Sequence, residues 1–432
     1  MNRLAVALAA DSAVSVSAGR QKKVFNTANK LFMLSARHPV GVMVYSNGSL
    51  MGVPWEVLIK TFRQHLGDKE FDYLEEYAEQ LISFIESQTD LFSAELERTY
   101  FLTMAENEFF ELSRNIQRAL QEEERDLADN ADWPAVQRAA VSRVIQDECN
   151  EWAERPAYGE KIPEGTGKRL RGVCSGEISA LTLKYFKARV WHASGADTAR
   201  LGEFTEMLIE KNYIAPSSFS GLVVAGFGRK EFFPVLRRFR IGNIYGGHLK
   251  RIDAELVAIS DAQKVHVGVY ADSGMAELFL KGISLEALEF VIEHVFAAGS
   301  AIAHVALDNA GVDVTDEMWE KVEADRNQIL VHLVDKLQAY RAMSSEFEKA
   351  LTHIPKDELA SVAVSLVNLN SFKKRMSMNV ESVGGPVDVA VISKGDGFIW
   401  IDRKHYFDAD KNPHFVRHHL QSSKPAGQHD GE

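Results

Sequence analysis

The rhythm of hydrophobic and polar positions changes repeatedly along the chain. Residues 4–16 alternate small and β-branched residues around Ala9-Ala10-Asp11-Ser12, a period of two that predicts a strand. Lys23–Phe25 and Leu31–Leu34 are short apolar stretches split by Asn26 and Asn29, a strand–turn–strand signal. Val40–Tyr45 predicts a buried strand that Ser46-Asn47-Gly48 ends. Pro54 suits the first turn of a helix, and Trp55, Leu58, Ile59 and Phe62 then follow helical spacing to about Leu66. The pattern stays helical and charged from Tyr73 to about Trp152, with the acidic run Glu122–Glu124 and Asp126 on a solvated face. Ala153–Gly176 is rich in proline and glycine and predicts loop, and helical spacing returns from Ile178 to Lys211.

The texture then turns to sheet. Gly221–Phe227 is a continuous apolar run, the mark of a strand buried on both faces. In Arg229–Lys250 arginines alternate with Phe and Leu, which reads as a half-exposed strand. Further strands are predicted at Glu255–Ile259 and Val265–Tyr270. Ser284–Ala298 predicts a helix capped by Ser284 with Glu286 near its positive end. Helices are expected over Thr315–Lys349 and Lys356–Leu369, the latter with Leu359, Val362, Leu366 and Leu369 on one face. Val387–Ile392 and Phe398–Ile401 flank a Gly-Asp-Gly turn, a hairpin signal, and the His-rich segment after Asp408 reads as a polar tail. Strands at the start, middle and end with helices between them fit two sheets sandwiched by helices. A doubly wound fold would alternate strand and helix more regularly.

Composition narrows the classes. At 46% hydrophobic and 25% charged, the 432 residues have the profile of a soluble globular protein long enough for more than one domain. Leu4–Ala10 is apolar but short and runs directly into Asp11, so it is not read as a signal peptide. No uninterrupted apolar run reaches the ~18–20 residues of a membrane span, so no membrane association is expected. A net charge of −12 speaks against nucleic acid as a partner. The two cysteines, Cys149 and Cys174, form no C-x-x-C pair, which fits a reducing cytoplasm and neither a disulfide scaffold nor a zinc ribbon.

The order Leu8–Ser12 with its Ala-Ala-Asp-Ser, then Lys22-Lys23-Val24-Phe25-Asn26, then Asn29-Lys30, then Val40–Gly48 before a helix, resembles the proteasome-like family of N-terminal-nucleophile (Ntn) hydrolases. Gly221–Phe227 is similar to that family's mid-chain strand, and Gly384-Gly385-Pro386-Val387-Asp388-Val389 with its hairpin to the closing strands. The resemblance implies an α+β fold, a four-layer α-β-β-α sandwich. Its core would be split between residues 1–66 and 216–408, with a mostly helical insertion over 67–215 and a tail over 409–432. It also implies a homo-oligomer, as the family's members usually assemble into rings, with a peptide or protein as substrate and no cofactor or metal.

The family's chemistry uses an N-terminal Thr whose hydroxyl attacks the scissile carbonyl while its own α-amine, titrating near pH ~8, takes the proton. A strand lysine lowers the amine's proton affinity, an Asp orients that lysine, and a backbone N–H holds the oxyanion. Carried over by motif, Asp11 matches the orienting Asp and Lys23 the strand lysine. Ser46, Asn47 and Gly48 match the oxyanion loop, where the family prefers glycine at the place of Ser46 or Asn47. No Thr, Ser or Cys lies between Met1 and Asp11. Two readings stay open: a threonine-type peptidase or amide hydrolase whose nucleophile lies upstream of Met1, or a catalytically inactive subunit or binding scaffold.

Other motifs carry less. Gly165-Thr166 would give an N-terminal Thr on cleavage, but the pair is common. Gly165-Thr166-Gly167-Lys168 lacks the full phosphate-loop spacing, and Gly226-Phe227-Gly228 has Glu231 where a dinucleotide-binding loop needs its third glycine. His414 and His418 are spaced like helical metal ligands, yet beside Pro413 in a polar tail they read as solvated. No G-x-S-x-G elbow anchors a serine triad. Asp388 and Lys394 are read as structural.

Overall fold

The structure, a computed structural model, describes residues 1–414. Omitted within that range are 19–20, 26, 36, 126–131, 160, 188–192, 216–217, 271–273, 282–284, most of 311–345, 377–383, 406 and 409–410. The expected helix Thr315–Lys349 falls largely outside the described residues, as do the cap Ser284 and the tail histidines His418 and His419. The fold is mixed α+β with antiparallel sheets. One sheet has three strands in the order β1-β11-β12 (Ala5–Ala10, Asp388–Ser393, Gly397–Asp402). A second has five in the order β10-β9-β8-β5-β4 (His248–Ala258, Val235–Tyr245, Ser220–Gly226, Val40–Ser46, Leu31–Met33). Two short hairpins complete the strands among the described residues, β2-β3 (Val14–Ala18, Gln21–Phe25) and β6-β7 (Ser49–Leu50, Val53–Pro54). The chain forms two compact units, one of residues 1–43, 225–235 and 257–432, the other of 44–224 and 236–256.

In the first unit, β1 and β11 pair antiparallel with Ala5 opposite Ser393, Ala7 opposite Val391 and Ala9 opposite Val389. Side chains alternate faces along a strand. The face of Ala5, Ala7, Ala9, Val389 and Val391 packs with Leu351, Leu359 and Ala360 of helices α10 (Glu346–Leu351) and α11 (Lys356–Met376). The alanines let α11 approach closely. The other face carries Ile392, whose Cδ1 lies where a Cβ on Gly41 of β5 would come within 2.7 Å, beside the ring of Phe398. Every residue of β11 is therefore buried, which is why its sequence is apolar at every position between Asp388 and Ser393. Asn2 is fully buried. Its side chain donates to the carbonyls of Leu351 and Ile354 at 3.0 and 3.1 Å, fastening the start of β1 to the end of α10. Helices α8 (Gly274–Lys281) and α9 (Leu285–Ala310) also belong to this unit.

The second unit is mostly helical, with α1 (Trp55–Leu66), α2 (Leu74–Glu86), α3 (Ala94–Arg125), α4 (Trp133–Glu154), α5 (Thr166–Val173), α6 (Ser175–Thr182) and α7 (Gly195–Glu210). Pro54 precedes α1, which buries Trp55, Leu58, Ile59, Phe62 and Leu66, as its spacing predicts. Along α3 the buried Phe101, Ala105, Phe109, Leu112, Ile116 and Leu120 recur every three or four positions. Phe109 meets Phe204 of α7 and, through it, Trp152 of α4. Ser194 opens α7 with a reciprocal capping pair: its hydroxyl accepts from the Asp197 N–H, and the Asp197 carboxylate accepts from the Ser194 N–H.

Several expectations are corrected. The strand expected over 4–16 breaks at Asp11–Ala13, where the Asp11 carboxylate takes the Ala13 N–H at 3.2 Å and turns the chain. Val265–Tyr270 forms no strand; its one ladder contact is the bridge between Val265 and Asn2. The expected loop Ala153–Gly176 contains α5, entered through the left-handed Gly165. The basic stretch Arg229–Lys250 contributes β9 and the start of β10, joined at Gly246 and Gly247, both of positive φ. The helix expected to stop at Ala298 runs to Ala310, because Ala297, Ala298, Ala301 and Ala303 carry it past Gly299. Within it, Ala287–Leu307 is long and apolar enough by composition to cross a membrane, although Glu289 and Glu293 leave it no uninterrupted apolar run.

Candidate functional site

Asp11 stands where β1 ends, with its side chain only 13% exposed. One carboxylate oxygen accepts the Lys30 ammonium at 2.7 Å, and the other accepts the backbone N–H groups of Ala13 at 3.2 Å and Gly384 at 3.1 Å. A charge-assisted bond of that length is among the stronger hydrogen bonds a protein makes. Ser12, fully buried beside it, completes the corner. Its N–H donates to Gly384 O, its carbonyl accepts from Ala28 N–H, and its hydroxyl donates to Pro386 O at 2.6 Å. Three separate stretches of chain, 11–13, 28–30 and 384–386, are thereby held at one point.

The lysine beside Asp11 is Lys30, whereas the motif order assigns Lys23. Residues 14–25 close on themselves as the β2-β3 hairpin, with Val14 opposite Phe25 and Val16 opposite Lys23. That register leaves Lys23 exposed, its ammonium 4.9 Å from the centre of the Phe25 ring. The Ala28 bond to Ser12 brings the next segment back, and Lys30 follows two residues later. Chemically, the corner offers a half-buried cation held by a carboxylate, able to stabilise a neighbouring negative charge or depress a neighbouring amine. The Ser12 hydroxyl is committed to a carbonyl and points to no acceptor role.

The Ser46–Gly48 loop belongs to the second unit. Ser46 adopts φ 66°, and Met51, further along the loop, φ 47°. Both are left-handed conformations that favour glycine. The Asn47 N–H donates to Phe219 O at 3.4 Å, and Gly48 O accepts from Trp55 N–H at 3.1 Å. Tyr45, just before the loop, fills the space over Gly221, where a Cβ would come within 2.0 Å of its ring. Ser46 thus takes a left-handed φ in the loop where the resemblance expects glycine. Comparisons with protein-family models, with curated proteins and with solved structures find no match.

Sequence reasoning passed over Lys250. It is 2% exposed on β10, and its ammonium donates to the carbonyls of Leu208 and Ile209 at 2.7 and 3.0 Å, capping the negative end of α7. Burial pushes it down from 10.5 to about 7. Between those two values the unfolded chain binds a proton that the folded chain does not, so stability rises with pH in that window and is flat below it. Lys250→Met should remove this rise, which for one proton reaches about 1.4 kcal/mol per pH unit. Urea midpoints of the two proteins from pH 6 to 10 check it; parallel profiles would disprove it. Beside Lys250, the side chains of Tyr158, Lys161, Asn212, Arg251 and Asp253 line a small polar cleft of about 200 Å³. The Tyr158 hydroxyl donates to Arg251 O at 2.8 Å, and Lys161 lies 3.5 Å from Asp253.

Thr166 is 4% exposed and its hydroxyl donates to Pro163 O, a helix-entry contact. Cys149 and Cys174 are both free thiols and buried. Asp388 is held by the Lys404 ammonium and N–H, and Lys394 donates to the carbonyls of Gly228 and Arg229. Among the described residues no three His, Cys, Asp or Glu side chains are grouped to hold a metal ion.

Proposed function

We propose that the chain is built on an Ntn-hydrolase sandwich of the proteasome type, with the helices over 67–215 as its insertion. On this reading it is a threonine-type peptidase or amide hydrolase, with peptide or protein substrates and the hydroxyl nucleophile supplied from upstream of Met1. The observation that carries the reading is the Asp11–Lys30 pair at the carboxyl end of β1. An α-amine acting as the base must be unprotonated near neutral pH, and a fixed ammonium close by lowers its proton affinity. A carboxylate that anchors the ammonium keeps it charged and in place. Lys30 takes the part that motif order gives to Lys23. Two further features support the reading. The β1-β11-β12 sheet is covered by α10 and α11 on one face and meets β5 at Gly41 on the other. Ser46 also adopts a left-handed φ that favours glycine, the residue the family prefers at the place of Ser46 or Asn47.

The second reading, a non-catalytic subunit or binding scaffold, is favoured by the saturation of the corner. The Asp11 oxygens and the Ser12 hydroxyl are all engaged within the protein. The deciding experiment takes the protein with its native N-terminus, reads that terminus by mass spectrometry, and exposes it to a peptidyl epoxyketone. The hydrolase reading expects one adduct on an N-terminal Thr. Lys30→Ala should slow its formation at least 100-fold, while Lys23→Ala leaves it within a few-fold of wild type. A reversed order of the two variants restores Lys23 to the role. The absence of any adduct on a protein with a verified native terminus leaves the scaffold reading standing.

A further inference from the structure

Met1 and Asn2 are held from two sides. On one side the Asn2 N–H donates to Ala5 O at 3.1 Å, the bond that closes a two-residue hairpin through Arg3 and Leu4 into β1. On the other side Met1 exchanges two bonds with His266. Its α-amine donates to His266 O at 2.7 Å, and its carbonyl accepts the His266 N–H at 2.9 Å. Asn2 is bridged antiparallel to Val265. Met1 and Asn2 thus bond alternately to a neighbour on either side, as successive residues of a central strand do.

The side chains follow the same sheet. Residues opposite one another share a face, and faces alternate along a strand. Asn2 reaches the carbonyls of Leu351 and Ile354, and Ala5, Ala7, Ala9, Val265 and Val267 pack in one cluster with Leu351. β1 and Val265–Val269 therefore flank a common strand position that Met1 and Asn2 fill at one end. Among the described strands β1 pairs only with β11. Ala5, opposite Asn2, is fully buried, whereas Ala7 and Ala9 on the same face are partly exposed. Because Ala5 O turns toward Asn2, the N–H and C=O of Ala7 and Ala9 turn the same way, out of the β1-β11 pair. Gly268, two residues past His266, turns its own toward them.

We infer that the residues immediately preceding Met1 in the protein form a strand in this slot, antiparallel to β1 on one side and to Val267–Val269 on the other. The contacts of Asn2 fix the register. With Asn2 opposite Ala5 and Val265, the residue directly before Met1 lies between Ala7 and Val267, the third before Met1 opposite Ala9, and the fifth opposite Asp11. The Met1 nitrogen selects the chain's own residues over a separate peptide. It already stands in line with the strand, so a separate strand would end against it, while a peptide bond continues through it. Burial pushes the α-amine down to about 5. A peptide N–H makes the same bond to His266 O without desolvating a charge. The strand would serve a scaffold as well. Resting on the hydrolase reading is one addition: the strand ends at the Asp11–Lys30 corner, so the nucleophilic Thr lies at or next to the fifth residue before Met1.

The test begins with the N-terminus of the native protein, read by mass spectrometry, which should lie at least five residues before Met1. In that protein the amides of Ala7, Ala9 and Gly268 should exchange at least 100-fold more slowly than in a chain begun at Met1. Cysteine pairing checks the register without shortening the chain, since Cys149 and Cys174 are buried. A cysteine in place of the residue directly before Met1 should form a disulfide with Val267→Cys, a non-hydrogen-bonded pair with Cα atoms about 4.5 Å apart. It should not do so with Val269→Cys, roughly 7 Å further along the strand. A native start at Met1, equal exchange in the two proteins, or a disulfide with Val269→Cys in place of Val267→Cys would each overturn the inference. Slow exchange and the Val267→Cys disulfide without any epoxyketone adduct support the strand and remove the hydrolase reading alone. An adduct on a protein whose Ala7, Ala9 and Gly268 amides exchange freely keeps the hydrolase and removes the strand.

Discussion

Gly226→Ala should lower the stability of the protein by about 2–5 kcal/mol, a positive-φ strain cost of ~1–2 plus an overpacking cost of ~1–3. Gly226 ends β8 at φ 144°, a conformation that residues with a Cβ rarely adopt. A Cβ there would also come within 1.9 Å of the Pro39 carbonyl oxygen, and this contact is backbone against backbone, so no rotamer change relieves it. The same carbonyl accepts the Phe227 N–H at 3.0 Å, so moving Pro39 away breaks a hydrogen bond as well. Gly159→Ala is the matched control. Gly159 has φ 86° and open space around it, so it carries the conformational strain without the collision. Urea unfolding of the two variants separates the terms. Equal losses would show that the Pro39 contact yields at no cost.

Asp388→Ala should be comparably damaging, by about 3–5 kcal/mol, because it leaves the Lys404 ammonium without its partner in a buried place. The two side chains are 4% and 11% exposed, and the carboxylate also takes the Lys404 N–H at 2.9 Å. Together they fasten the segment after β12 to the first residue of β11, which itself faces Ala10 at the end of β1. Removing both charges is milder than removing one. Asp388→Ala combined with Lys404→Met should recover more than half of the loss measured for Asp388→Ala. A double variant no more stable than Asp388→Ala would mean that the loss comes from the missing N–H acceptor and not from a stranded charge.

The elements most legible in the sequence are those whose local chemistry agrees with their burial. Pro54 followed by the Trp55, Leu58, Ile59 and Phe62 stripe gave α1 its start and its buried face, and the Asp-Gly turn between two apolar runs placed β11 and β12. The β9-β10 hairpin was harder to read because its arginines lie within it. Arg238 bonds Glu255 across the pair, while Arg237 and Arg251 lie over the ring of Phe239. Those contacts partly shield charges that look solvated in one dimension. The Gly246-Gly247 pair was the signal that could have marked the turn. Val265–Tyr270 has the alternation of a strand, yet its ladder contact is a single bridge to Asn2, and periodicity does not reveal whether a strand partner is present. At the Asp11 corner, Ala-Ala-Asp-Ser singles out the acid, but the pattern does not show that Lys30 lies against it, because which lysine reaches the carboxylate depends on how residues 14–25 fold back, a matter of hairpin register. Lys250 gave no warning, since a lysine within a basic stretch reads as surface until its neighbours are known.

The pairing of β1 with β11 imposes an order on synthesis. β1 ends at Ala10, yet the strand it pairs with begins at residue 388. At ~5–20 residues per second, the apolar stretch Ala5–Ala10 waits roughly 20–80 s for that partner. Every residue of the second unit is translated in the interval, so its helices can assemble first. β1 must meanwhile stay out of wrong pairings, and a nascent chain stalled before β11 would display an unpaired apolar strand to whatever chaperone or protease is near.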